Sequence, residues 1–482
     1  MSDEFDFIVI GGGSAGYAAA STAARLGLRV AVIEGAREVG GLCILRGCMP
    51  SKTLLESAHR AEAIRGAGEF GLRAQFLGAD AKAIRARKRK LIGEFADYRR
   101  GQLESGKFEF IRGRAEFVDA HSLDVRLLDG GLRRVTARSF LLATGSTISV
   151  PSIPGLKEAG YSTSDDVLDA GEYPDSVCVL GGGAIALELA SFFNGLGLPT
   201  SMIQRGAHVL REMDHDVADE LTGAMERRGI RMHRETKITQ VSREGVLKRV
   251  TFTDATGATK TIEAHEIVCA LGRHPATDGL SLERAGVALK DGAVEASATQ
   301  QSDTPHIFAA GDVCGPHEIV HIAIQQGELA ARNAARMLGK LDGELEKIDY
   351  ALKLFAVFSH PEIAAVGLTE REAAEQKMEV VAAKYPFADH GKSMVRGETD
   401  GFVKLIAERG SGRIVGAACV GPEASELIHE IVVAMRFGAT TAQLAATPHY
   451  HPTLSEIWTY PAEELMDIDL RCAAGPGEMP SC

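Results

Sequence analysis

Two cysteines in a Cys-x4-Cys spacing, Cys43 and Cys48, lie in the stretch Gly40-Gly41-Leu42-Cys43-Ile44-Leu45-Arg46-Gly47-Cys48-Met49-Pro50-Ser51-Lys52. The spacing suits a small loop that closes as a disulfide and opens on reduction, leaving one sulfur outward and one inward. A helical pattern over 52–64 follows at once. Exposed N–H groups at a helix start favour negative charge, so Cys48 is expected to ionise readily as a thiolate. Pro50 suits the first turn, where its missing N–H costs nothing. Two other readings are a pair of unconnected buried cysteines and half of a zinc site. Zinc needs two further ligands at matching spacing, and no second cysteine pair supplies them, so no metal is expected.

A second set of chemical side chains lies near the C-terminus, in His449-Tyr450-His451-Pro452-Thr453-Leu454-Ser455-Glu456. A general base for a thiol has to titrate near neutrality, and a carboxylate behind an imidazole fixes its tautomer and raises its basicity. His451 with Glu456 suits that pair: Pro452 forces an extended start, and a helix is expected to carry the acid back. His449 reads as a structural histidine.

Both sets need elements to hold them. Residues 5–10 read as a buried strand, followed by Gly11-Gly12-Gly13-Ser14-Ala15-Gly16, an alanine-rich helix to Leu26, and a second strand over 29–33 ending at Glu34. Strand, glycine turn, helix, strand and terminal acid together form a dinucleotide fingerprint, with the helix start placed to hold a pyrophosphate and the acid a ribose hydroxyl. The pattern repeats from 176: a strand, Gly181-Gly182-Gly183-Ala184-Ile185-Ala186, a helix to Leu196, and a strand over 200–203. Gln204 stands at the same offset from Ala186 as Glu34 does from Gly16, so the repeat implies two nucleotide sites in one chain. In the second copy the acid is gone, Arg205 follows, and Arg211 comes one short loop later. Removing a negative charge and adding guanidinium groups is what a ribose 2′-phosphate requires, which favours NADPH over NADH.

Between and after these copies, short alternating segments over 108–118, 122–128 and 132–137 read as a meander, and a strand over 140–146 ends in the turn at Thr144-Gly145. The basic segment 79–101 reads as the solvated face of a surface helix rather than an anion-binding patch. The chain of 482 residues has room for several domains. Its 53 basic and 65 acidic residues give a formal charge of −12, which argues against a general nucleic-acid binder. Eight scattered cysteines suit a reducing compartment, and with no secretory signal or membrane-spanning run a cytoplasmic protein is expected, with no membrane partner.

The cysteine stretch, the two fingerprints and the His-Pro-x-x-x-Glu run resemble the flavin-dependent pyridine-nucleotide disulfide oxidoreductases, the family of dihydrolipoyl dehydrogenase, glutathione reductase and mercuric reductase. The resemblance extends from Phe5 to about Glu464. It implies an α/β chain with two Rossmann-like dinucleotide-binding domains and a C-terminal α+β dimerisation domain. The expected boundaries are 1–150 with 280–349 for FAD, 151–279 for NAD(P), 350–470 for the dimer interface, and 471–482 as a disordered tail. It implies FAD against Gly11, Gly13, Ser14, Ala15, Gly16, Glu34, Gly41, Lys52, Thr144, Gly145, Gly311, Asp312 and Ala323. Pyridine nucleotide would lie against Gly181, Gly183, Ala186, Gln204, Arg205, Arg211 and Gly272, as NADPH with NADH possible. In that family Lys52 and Glu188 form an ion pair beside the flavin, and the His451–Glu456 dyad reaches the disulfide of the opposite subunit, which implies a homodimer. The implied relay runs from NADPH through FAD to a Cys43–Cys48 disulfide, with Cys48 inward, Cys43 exchanging with substrate, and His451 moving protons.

The substrate is narrowed by departures from the family. Glutathione reductases carry arginines on the first helix where Ser21 and Thr22 stand, which weighs against glutathione. The Cys-Met-Pro-Ser-Lys and His-Pro-Thr-Leu-Ser-Glu runs sit closer to dihydrolipoyl dehydrogenases, so a lipoyl-type disulfide is expected. Those enzymes carry an Asn-Val pair where Leu45-Arg46 stands here; Arg46 could stabilise a thiolate, attract an anionic substrate or face solvent. The alternative is a mercuric-ion or other metal or quinone reductase on the same scaffold. Cys472 and Cys482 could serve an electron or metal relay, although they are not adjacent.

Overall fold

The structure, a computed structural model, describes residues 3–473, with side chains to 466. It divides into two compact units, one of residues 1–53, 82–150 and 272–349, the other of 54–81, 151–271 and 350–482.

In the first unit the strand Glu4–Ile10 lies between Val30–Glu34 and the second half of Leu132–Leu142, parallel to both. Ile307–Ala309 extends the sheet beyond Leu132–Leu142. The alternation of the central strand explains its two-sided burial. Phe7 and Val9 pack on the alanine-rich faces of the helices Ser14–Arg25 and Val320–Met337, while Ile8 and Ile10 face a cluster with Phe117, Val125 and Phe140. The two helices approach closely because Gly327 sits on the Ala15 backbone, where any Cβ would collide. The meander over 108–137 forms as expected in type, with one difference. Leu132–Leu142 is a single strand whose first half pairs antiparallel with Ser122–Leu127 and whose second half enters the parallel sheet. Two neighbours of opposite direction along one strand leave no need for a break. The basic helix Ala81–Leu103 is largely exposed, but Lys88 is buried and Arg99 half-buried.

The second unit repeats the nucleotide-binding pattern. Its parallel sheet runs in the order Glu266–Cys269, Val177–Leu180, Thr200–Ile203, Arg231–His233, with the helix Ala184–Gly195 following the glycine turn at 181–183. A three-stranded antiparallel sheet follows, Lys237–Glu244, Leu247–Thr253 and Thr259–Ala264. Residues 272–279 fall in the first unit, because Arg273–Pro275 pairs with Ser146–Ile148. The C-terminal part is a five-stranded antiparallel sheet ordered Leu354–Val357, Glu362–Gly367, Ile414–Gly421, Phe402–Glu408, Val380–Pro386. It packs on the helix Ala424–Arg436 and on Trp458, whose Nε1–H donates to the Leu427 carbonyl at 3.1 Å. The helix Thr459–Ala473 carries the backbone three residues into the segment expected to be disordered. Residues 474–482, with Cys482, and the side chain of Cys472 lie outside the described residues.

Within this unit Lys404, on Phe402–Glu408, is fully buried and bonded to Asp214 and Asp216 at 3.0 Å and to Glu370. Burial alone would lower the lysine pKa; the bonds to Glu370, Asp216 and Asp214 outweigh it and raise it. Burial would likewise raise Asp216, but Lys384 and Lys404 hold it below the usual carboxylate value. Removing one partner of such a cluster leaves buried charge uncompensated. Lys404→Met should therefore destabilise the protein by about 3–5 kcal/mol at pH 7, read by urea titration. The depressed Asp216 contributes stability above its unfolded pKa and loses it as pH falls through the lower folded value, so the penalty of Lys404→Met should shrink below about pH 4. An equal penalty at pH 3 and pH 7 would refute this account.

Candidate redox and nucleotide sites

The sulfur pair is positioned by a break between two helices. Gly41–Arg46 forms a short helix, Gly47 interrupts it, and Cys48–Gly66 begins immediately. A Cβ on Gly47 would stand 3.2 Å from the Cys43 Cα and 3.1 Å from the Leu42 carbonyl oxygen, so a glycine lets the second helix start against the first. Both cysteines are thiols here. The hydrogen bond to Cys48, then burial, then the charge of Cys48 push the Cys43 pKa well above that of an ordinary thiol. Cys48 is the sulfur at the positive end of a 19-residue helix. Arg46 pairs with Glu38, so beside its three sequence readings the structure sets a fourth, a surface ion pair. Lys52 Nζ donates to Ser51 Oγ at 3.4 Å.

Around this loop the first glycine turn is folded as the fingerprint requires. The Glu34 carboxylate accepts from the N–H of Gly12 at 2.9 Å and of Ala36 at 2.7 Å. A Cβ on Gly41 would lie 2.6 Å from the Gly13 Cα, whereas a Cβ on Gly13 would meet only the Gly41 Cα, at 3.8 Å. The turn is therefore tight on one side and open on the other, before Ser14 and Ala15 begin the helix. Thr144 Oγ1, just before Gly145, is buried without a hydrogen-bond partner among the described residues. An open glycine face and an orphaned hydroxyl beside it fit a bound dinucleotide.

Several residues here carry no mark in the sequence reading. Arg273 Nε donates to Ser146 Oγ at 2.8 Å, and that hydroxyl donates to Asp312 Oδ2 at 2.7 Å, linking the turn after Gly272 to Asp312. Fully buried Gln326 accepts from the Gly311 N–H at 2.7 Å and donates to the Gly315 carbonyl at 2.8 Å, on the same helix as buried Ala323. Arg99 stacks over Tyr17 at 4.3 Å, with Nε and Nη1 buried and unpartnered among the described residues, and Cys43 is among the groups acting on its charge. Only Arg273 has a local signal, the Leu-Gly-Arg-His-Pro run; the others are brought in by tertiary packing.

The second glycine turn, in the other unit, is open at Gly183, where a Cβ would have no described atom within 4 Å, and Ala186 is buried below it. Gln204 Nε2 donates to the His208 carbonyl, which folds the carboxamide over Gly182. Arg205 is exposed and forms no ion pair among the described residues; Arg211 is exposed, with Glu212 at 3.7 Å. Arg234, which no sequence motif marks, donates to the Ala207 carbonyl at 3.1 Å and pairs with Asp219. Glu188 is buried on Ala184–Gly195 and accepts from the Phe358 N–H at 3.1 Å. Lys52 and Glu188 belong to different units.

In the dyad, His451 Nδ1 donates to the Glu456 carboxylate at 3.1–3.2 Å. The imidazole is 79% exposed while Glu456 is buried, so Nε2 is left for a reacting thiol. The acid is carried by the 3-10 helix Ser455–Trp458, which runs straight into the α-helix Thr459–Ala473, and Ile457 and Trp458 anchor it in the core. His449 is held by Glu430 at 2.6 Å and the Thr447 carbonyl at 2.9 Å, in keeping with a structural role. Among the described residues no group of three or more His, Cys, Asp or Glu side chains is arranged to hold a metal, and no helix is long and apolar enough to cross a membrane.

Comparison with known proteins agrees with this geometry. The family model for pyridine nucleotide-disulphide oxidoreductases matches residues 5–327, and the model for the dimerisation domain of that family matches 355–462. The chain is 35% identical over 474 residues to the dihydrolipoyl dehydrogenase of Chlamydia trachomatis, covering 98% of each. It is 33% identical over 467 residues to that of Geobacillus stearothermophilus, covering 95% of this chain and 96% of the relative. The HOCl-induced flavoprotein disulfide reductase RclA from Escherichia coli, solved as a Cu(II) complex, superposes with a TM-score of 0.82 at 26% identity over 96% of this chain and 99% of that one. These relatives favour the disulfide chemistry over a metal or quinone reductase.

Filling the open face of the first turn tests the nucleotide cradle. Gly13→Val should weaken FAD retention by about tenfold to a hundredfold, the cost of overpacking a close-fitting site. Flavin absorbance per protein after dialysis measures it, and wild-type occupancy in a folded variant would refute the assignment.

Proposed function

The chain belongs to the pyridine nucleotide-disulphide oxidoreductase family, and on that premise we propose a dihydrolipoyl dehydrogenase-like enzyme. It would be a cytoplasmic homodimer that uses NADPH in preference to NADH and acts on a lipoyl-type disulfide or its dithiol. The observation that carries this reading is the hydrogen-bonded Cys43–Cys48 pair at the start of a long helix, beside a fingerprint turn with an open glycine face.

FAD would be held by Gly11, Gly13, Ser14, Ala15, Gly16, Glu34, Gly41, Lys52, Thr144, Gly145, Gly311, Asp312 and Ala323, and would supply the two-electron link between nicotinamide and sulfur. The chain's own residues do the rest. In the reductive direction Cys43 gives up its proton to His451 of the opposite protomer and attacks one sulfur of the substrate disulfide. The other substrate sulfur leaves as a thiolate and takes a proton from His451 of the opposite protomer. Cys48 then attacks Cys43, closing the protein disulfide and releasing the second substrate sulfur, which leaves as a thiol. Two protons and two electrons pass from the protein dithiol to the substrate, so the step balances. The same residues run the reverse reaction, with His451 accepting the proton and Glu456 stabilising the imidazolium.

The preference for NADPH rests on charge. Gly181, Gly183 and Ala186 would hold the nucleotide backbone. At the ribose end Gln204 is neutral, and Arg205 and Arg211 are exposed and available to a 2′-phosphate. Restoring an acid should reverse this: Gln204→Glu should raise KM for NADPH by about tenfold, or ~1.4 kcal/mol, with little change for NADH. A wild-type enzyme that uses NADH as well as NADPH would sink the cofactor reading.

The disulfide chemistry has its own test. Cys43→Ser and Cys48→Ser should each lower lipoamide turnover by at least about a thousandfold, as loss of a covalent participant does. Reduction of a small quinone by the same flavin should survive in both variants. Lipoamide turnover that persists without Cys43 would point to the metal or quinone reductase alternative.

A further inference from the structure

A third side chain stands behind the dyad. His390 is fully buried, and its Nε2 lies 3.4 Å from Oε1 of Glu456, the carboxylate that receives the Nδ1–H of His451. Its Nδ1 is 2.9 Å from Oγ of buried Ser393. A serine hydroxyl donating to Nδ1 leaves the imidazole proton on Nε2, the nitrogen that faces the carboxylate. That Nε2 is buried and makes no hydrogen bond among the described residues, so the carboxylate 3.4 Å away is the acceptor within its reach.

The surroundings keep this imidazole neutral. Burial lowers its pKa by more than the charge of Glu456 raises it. The titratable groups facing it are Glu456 on Ser455–Trp458, His451 in the preceding loop and Tyr460 on Thr459–Ala473, with Tyr385 of Val380–Pro386 stacked on Tyr460 at 4.0 Å. Ser393 faces it from its own helix, Gly391–Arg396, and the ring of Phe387 edges it. The side chain of Glu456 is only 10% exposed. An ionised carboxylate so enclosed needs donors; among the described residues its hydrogen-bond donor is His451, and the orphaned Nε2 of His390 is the next polar atom within reach.

We propose that His390 is a positioning residue for proton transfer: as a neutral Nε2–H donor it keeps the Glu456 carboxylate ionised and aimed, and so sets the pH at which His451 takes a proton from a substrate thiol. The inference rests on the reading of His451 and Glu456 as the catalytic base pair. It uses the low-dielectric space behind the carboxylate, where a neutral donor stabilises the anion without cancelling its charge. Losing that donor makes the dyad hold a proton more tightly, so its apparent pKa rises.

The experiment is the pH profile of kcat/KM for dihydrolipoamide oxidation by the FAD-loaded enzyme, with the nucleotide the wild type uses. His390→Phe should move the acid limb up by about one pH unit, a tenfold loss on that limb, as expected for one hydrogen bond to a charged group. His390→Gln, whose carboxamide offers a neutral N–H, should restore the limb to within a few tenths of a unit. Ser393→Ala frees the tautomer without emptying the core and should shift the limb the same way by less; it decides the matter if His390→Phe fails to retain flavin. An unchanged limb, or an even loss at every pH that His390→Gln does not rescue, would overturn the proposal. A His451→Gln arm separates the two levels: full activity there would mean the dyad reading itself is wrong.

Discussion

The first unit depends on one backbone contact, the approach of Gly41 to Gly13. The first glycine turn and the sulfur-bearing loop are distant in sequence but press against each other with no side chain between them, and a methyl group on Gly41 would overlap the Gly13 Cα. This contact fixes where the short helix begins, and so where Cys43 lies, relative to the start of the first fingerprint helix. Gly47 repeats the device a few residues later by letting Cys48–Gly66 start against Cys43. Redox geometry is thus set by backbone packing, which is stiffer than any side-chain contact.

Charge is handled differently in the two units. Around the sulfurs the cationic side chains are engaged: Arg46 is paired with Glu38, Arg99 is buried over an aromatic ring, and Lys52 donates to Ser51. At the second glycine turn guanidinium groups are left exposed. The contrast matches chemistry that has to move protons and electrons among neutral and singly charged sulfurs in one place and recognise a highly charged nucleotide in the other.

Much of this is legible in the sequence because it is local. Both fingerprints, the cysteine loop and the His-Pro-x-x-x-Glu run are contiguous, and each has a glycine, proline or acid whose type follows from backbone geometry. What is not legible is what folding brings from afar. Gln326 bonds to Gly311 from the middle of a helix, Ser146 bridges Arg273 and Asp312, and His390 reaches Glu456 from another segment. None carries a spacing rule that would mark it. The single strand Leu132–Leu142 reads as two in the sequence because its pattern changes where its neighbours change direction. The helix carrying Glu456 starts as a 3-10 helix, a detail set by the core packing of Ile457 and Trp458 rather than by local periodicity.

Trp458 is the only tryptophan in the chain, and it is wholly buried. Ultraviolet emission from this protein therefore originates, apart from tyrosine, at one point in the C-terminal sheet-and-helix layer, two positions from Glu456. The molecule carries its own optical probe of that layer, silent about the nucleotide-binding turns except through energy transfer to a yellow chromophore. Fluorescence can thus follow how the base-bearing region loosens or assembles without any label being introduced.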